Sequence, residues 1–193
     1  MSTWNPSDET NMTLTGGNLI ATPSSAAVAG VRGTAGHATT GKYQLQFTSV
    51  TMPGAFDMIG IGDAAQGLTD ETSAGHEFML SSHGGGTIYA NNTFNTSPAY
   101  AAACTIDMCF DFGAMLGWAR VNGSAWNAGG TADPATGVGG YTITFSGANP
   151  FFPFVELTGT TAHATLNTKP SGLISGFSAW DPPFAYSQAR VIA

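Results

Sequence analysis

A chain of 193 residues with 42% hydrophobic content can bury a real core and fits one domain more simply than a tight pair. Charged residues make up only 9% of it: five cations (Arg32, Lys42, Arg120, Lys169 and Arg190) are scattered among twelve acids, for a formal net charge of −7. Scattered cations do not displace the condensed counterions of a phosphate backbone, so no nucleic acid partner is expected, and no run approaches the roughly 20 apolar residues of a spanning helix, so no membrane insertion is expected either.

From the N-terminus, Met1 to Asn11 is polar and lacks both a charged n-region and an apolar h-region, which predicts a soluble chain without a secretory signal. Strand-like runs follow at Met12 to Ile20 and Ala26 to Arg32. In Gly41 to Ser49, Tyr43, Leu45 and Phe47 share one face while Lys42, Gln44, Gln46 and Thr48 share the other, the period of a half-buried strand. Further short runs are read at Met58 to Gly62, Phe78 to Leu80 and Thr87 to Tyr89. Cys104 to Asp111 leads into Met115 to Val121, and Asn122-Gly123 marks a tight turn of the kind that needs positive φ. Trp126 to Gly140 reads as a long exposed loop and a candidate contact loop. Tyr141 to Phe145, Phe151 to Leu157 and Thr161 to Asn167 are strand-like, and a tail from Asp181 to Ala193 is expected to lie across a neighbouring surface. Gly and Pro interrupt nearly every window long enough for a helix. The pattern predicts an all-β, two-sheet antiparallel sandwich or barrel without internal repeat, linker or boundary over residues 1–193.

Cys104 and Cys109 stand at an odd offset on one strand, on opposite faces and roughly 16 Å apart, beyond the about 7 Å that a disulfide allows. Asp107 and Asp111 share a face but stand roughly 13 Å apart, too far for the about 5 to 9.5 Å of paired hydrolase carboxylates, and Asp70-Glu71 reads as a solvated turn. His37, His76, His83 and His163 are dispersed, without metal-ligand spacing. Ser81 to Gly86 is glycine-rich but has no Lys and no following helix to cradle a phosphate. No catalytic residue, metal or cofactor is therefore expected. Exposed aromatics and amides suit sugar recognition, and Asn91, Asn92, Trp126 and Asn127, which flank predicted turns, are the candidate ligand-binding residues. Tyr43, Ile61, Trp118 and Phe154 are the expected core.

An ordered series narrows the sandwich further: Gly41-Lys42-Tyr43, Ile59-Gly-Ile-Gly-Asp63, Gly86-Thr-Ile-Tyr89 with Asn91-Asn92, Ile106 to Asp111, Trp118-Ala-Arg-Val-Asn-Gly123, Trp126-Asn127 and Pro150 to Val155. Over roughly residues 41 to 180 this series resembles the SPRY (B30.2-like) domain, and Trp4-Asn-Pro6 with Met12-Thr-Leu14 resembles the start of SPRY-like domains in phage and prophage proteins. The resemblance implies a concanavalin A-like jelly-roll sandwich whose loops at one end form a recognition surface, without fixing a ligand. The expectation drawn from it is a non-enzymatic bacteriophage virion protein in the head or tail. It would contact other virion proteins and a host-surface glycan or protein, as a homo-oligomer. A cellular adaptor gripping a peptide or protein is the alternative. The low charge predicts a surface largely covered by partners.

Overall fold

The computed structural model describes residues 1–38, 40–69, 76–143 and 150–181. The expected turn at Asp70-Glu71, the second half of the Tyr141 to Phe145 run and the tail after Asp181 therefore lie outside the described residues.

The strands are β1 (Trp4–Thr10), β2 (Met12–Thr15), β3 (Ile20–Pro23), β4 (Val28–Gly33), β5 (Lys42–Thr51), β6 (Met58–Asp63), β7 (Glu77–Ser81), β8 (Thr87–Ala90), β9 (Thr93–Thr96), β10 (Cys104–Asp111), β11 (Leu116–Val121), β12 (Tyr141–Thr142), β13 (Phe151–Thr158), β14 (His163–Asn167) and β15 (Ser178–Ala179). They form two sheets. The first runs β1-β4-β13-β6-β7-β8-β9, and the second runs β12-β11-β10-β5-β14-β3-β2, with β15 added beside β5. All pairings are antiparallel except β15 with β5, where Ser178 and Ala179 run alongside Tyr43 and Gln44 in the stretch that β14 leaves free.

Alternation along these strands builds the core. Ile59, Ile61, Phe78, Leu80, Ile88 and Val155 of the first sheet face Leu45, Phe47, Ile106, Met108 and Phe110 of the second, all fully buried. Aromatic pairs lock the layers together: Phe78 meets Phe110 edge-on at 5.5 Å, and Trp4 stacks on Phe47 at 6.2 Å. Each such side chain contributes roughly 1.5–3 kcal/mol by leaving water.

The run Met12 to Ile20 is two strands rather than one, because Gly16, Gly17 and Asn18 all take left-handed φ and fold β2 back on β3. The polar opening is itself strand β1, anchored by the buried Trp4. Cys104 lies in the main core and Cys109 on the opposite face beside Trp118, both free and both with thiols that burial pushes up, as the odd offset requires. Ile61 belongs to the main core, but Trp118 and Phe154 are buried on the outer faces of their sheets, and Tyr43 is half-buried against His37.

The expected exposed loop 126–140 is instead a lid on the outer face of the second sheet. Gly140 packs so closely on the Trp118 indole that a Cβ there would sit 2.5 Å from the ring, and the indole N–H donates to the Val138 carbonyl at 2.9 Å.

Candidate binding surface

The four candidate residues read from the sequence do not gather into one exposed patch. Asn91 (φ 51°) and Asn92 (φ 58°) are exposed and form the two-residue turn between β8 and β9, a type I′ geometry that asparagine tolerates. Trp126 and Asn127 are 7% and 4% exposed. The Asn127 side-chain oxygen accepts the Ala119 N–H at 2.9 Å, and its amide nitrogen donates to the carbonyls of Gly139 at 2.8 Å and Gly117 at 3.3 Å, which clamps the lid to β11. Trp126 lies under the Arg120 guanidinium, 4.4 Å from the ring centroid.

The outward carboxylates are engaged as well. Asp107 accepts Arg120 at 2.9 Å and Gln46 at 2.8 Å. Asp111 pairs with Lys42 at 2.9 Å; burial alone would push its carboxyl up, but Lys42 and the Ala114 and Gly113 N–H groups together hold it below the ordinary range. Asp57 is fully buried, accepting the N–H groups of Gly54 and Thr158 and the Thr158 hydroxyl, and burial outweighs these bonds to push its carboxyl up. Asp63 binds His76 at 2.9 Å, and Arg32 binds Asp8 at 2.7 Å. Among the described residues no three His, Cys, Asp or Glu converge on a point that holds a metal.

A different surface stands open. The glycines of the β7–β8 connection take φ of 61° (Gly84), 86° (Gly85) and 126° (Gly86), conformations that side-chain-bearing residues rarely adopt, and they turn the chain so that His83 projects between two phenylalanines. The His83 ring stacks on Phe56 at 4.7 Å and 17°, and lies 5.0 Å from Phe94. Phe94 in turn meets Tyr89 at 4.9 Å. The ladder Phe56, His83, Phe94, Tyr89 crosses the outer side of the first sheet to its edge strand β9. Phe56 and Phe94 are each 40% exposed, and among the exposed large apolar side chains described they are the two joined through ring contacts. Beside Phe56 a cleft of about 170 Å³ opens between the 55–57 turn and Glu156 to Thr158 of β13. Apolar surface left contiguous in this way marks a contact site more often than a fold requirement.

No family model matches the chain, and no curated protein matches it. Solved structures do. The crystal structure of the SPRY domain of human HERC1 superposes with a TM-score of 0.62 at 15% identity, covering 84% of this chain and 96% of that one. The crystal structure of the TRIM65 PSpry domain superposes with a TM-score of 0.60 at 12% identity, covering 86% and 91%. The fold is the SPRY sandwich. Within the SPRY fold, the motifs read from the sequence are positions of the scaffold: Ile59 to Asp63 is β6, inside the first sheet, and Trp118 to Asn127 builds β11 and the start of its lid. Sequence reasoning singled out none of Phe56, His83 and Phe94 as binding residues. The alternation Thr93-Phe94-Asn95-Thr96 carried a signal for a strand with one apolar face, but which way that face points depends on pairing with β8.

Proposed function

We propose that this SPRY-fold chain is a non-catalytic protein-binding module, and that its contact surface is the aromatic ladder on the outer side of the first sheet. The observation that carries this is the pair Phe56 and Phe94, left exposed on either side of His83 in a chain whose other ring clusters are closed. A protein partner suits the ladder better than a glycan: one face of Phe56 is taken by His83, and Phe94 is flanked by both His83 and Tyr89, which leaves ring edges for aliphatic packing rather than open planes for a pyranose.

The setting we propose is a bacteriophage particle, in the head or tail, with other virion proteins as neighbours and a homo-oligomeric arrangement. Support comes from the phage-like opening around Trp4-Asn-Pro6 and from a charge content of 9%, which suits a surface covered by neighbours. A photo-crosslinking residue placed at Phe56 or Phe94 is expected to capture one protein neighbour in purified virions. Recovery of the chain only from infected-cell lysate, never from particles, overturns the setting; crosslinking to no protein at either position overturns the binding surface.

A further inference from the structure

The edges of the two sheets are treated differently on the two sides of the sandwich. On the β1/β2 side the chain passes directly from one sheet to the other. There the Met12 N–H donates to Glu9, the Asn11 side chain donates to the Val28 carbonyl, and β1 carries Pro6, a register shift, and the charges of Asp8 and Glu9. These are devices that block edge pairing. On the other side β9 has none of them. It reads Thr-Phe-Asn-Thr, and residues 82–106 contain no Asp, Glu, Lys or Arg in a chain of net charge −7.

The turn fixes which backbone groups of β9 are available. A two-residue turn is closed by a hydrogen-bonded pair, here Ala90 with Thr93, and alternation along an antiparallel ladder then makes Ile88 with Asn95 the next such pair. The N–H and C=O of Phe94 and Thr96 therefore point away from β8. The Thr96 carbonyl is found doing so, since it accepts the Tyr141 hydroxyl at 2.8 Å. Among the described residues nothing pairs with the Phe94 N–H, the Phe94 carbonyl or the Thr96 N–H.

We infer that β9 is a docking edge that takes an uncharged extended segment of a partner protein by strand addition. The inference deepens the binding-module reading and rests on it. Residues opposite one another in a sheet share a face, so the partner residue opposite Phe94 packs on the aromatic ladder and is large and apolar. Its two neighbours point the other way, into a polar notch of about 240 Å³ between β9 and β12, lined by Asn91, Thr93, Asn95, Tyr141 and Thr142 among others, and are small hydroxyl or amide residues. Main-chain bonds supply the pairing and these alternating pockets the selectivity. A second copy is the poorer occupant. The two-fold register that uses the free groups of Phe94 and Thr96 on both copies sets Asn95 against Asn95 and Phe94 against Thr96, which leaves the rings uncovered.

The test is selection from a random seven-residue peptide library on the full chain, followed by amide exchange of the ¹⁵N-labelled chain with the winning peptide. Enriched peptides are expected to share the small polar, large apolar, small polar order without charge. The Phe94 and Thr96 amides should slow at least tenfold in exchange while those of Thr93 and Asn95, already paired with β8, change little. Thr96→Pro, which removes an outward N–H, and Phe94→Ala should each weaken binding at least tenfold. Peptides lost in Phe94→Ala whose complex leaves the Phe94 and Thr96 amides unprotected overturn strand addition while the aromatic surface stands; peptides indifferent to both substitutions overturn the surface itself. No enrichment, charged winners, or protection of the same amides in a concentration-dependent dimer without peptide overturns the inference.

Discussion

On the outer face of the second sheet, Cys109, Trp118, Trp126 and Phe177 lie beneath the 126–140 lid and the 169–179 segment; on the outer face of the first, Met58, Met79, Tyr89 and Phe154 are buried but the ladder runs on from Tyr89 into solvent at Phe94 and Phe56. Both faces present apolar residues where a single sandwich needs only polar ones. One received a cover from its own chain, held by the Asn127 clamp and by the fit of Gly140 on Trp118. The other keeps bare rings at its edge, and that difference is what separates an extension of the core from a place for another molecule.

The comparison breaks most visibly at Trp118. Replacing it by Ala removes the ring on which the lid rests and is expected to cost about 3–5 kcal/mol in urea unfolding. Asn127→Ala strips three hydrogen bonds from buried groups and is expected to cost about 2 kcal/mol. It also separates lid from core. Thiol labelling should then reach Cys109, under the lid, well before Cys104, in the main core, whereas equal labelling rates would mean that lid and core open as one unit.

A smaller effect is expected at His37, which donates from Nε2 to the Trp180 carbonyl at 2.7 Å and stacks on Tyr43. Burial lowers its imidazole below the ordinary 6.5, partly offset by that hydrogen bond and by Asp181. A lowered folded pKa means stability that is present above pH 6.5 and lost as pH falls through the folded value. Asp57 acts in the opposite sense: its raised pKa gives a contribution that is lost as pH rises through the folded value. His37→Gln should therefore flatten the fall in Tm between pH 7 and about 5, and an unchanged slope would remove His37 as its source. The smallest stability effect belongs to the ladder. Phe56→Ala and Phe94→Ala are each expected to shift unfolding by no more than about 0.5 kcal/mol while abolishing partner capture. A loss as large as that of Trp118→Ala would make the ladder part of the core.

Several elements were legible because they depend on local chemistry. The strand Cys104 to Asp111 was marked by its composition and flanks, the opposed cysteines by the period of two, and the Asn122-Gly123 turn by its dipeptide, both of whose residues take positive φ. The run from Met12 to Ile20 was misread because its three turn residues sit inside an apolar pattern. The lid was misread because a glycine-rich stretch without alternation looks alike whether it hangs in solvent or lies on a tryptophan. Asn91 and Asn127 share a left-handed backbone, yet one is exposed and the other clamps the lid from within.

By itself the sequence determined an all-β sandwich, the absence of helical periodicity, and the order of motifs that resembles a SPRY domain, since all of these are set by residues adjacent along one strand or turn. Only the tertiary structure decided that the second sheet is covered, that His83 falls between Phe56 and Phe94, and that β9 is an unblocked edge. Those properties depend on which segments far apart in the chain come to lie over which face, and a strand's own alternation says that it has two faces but not what waits above either of them.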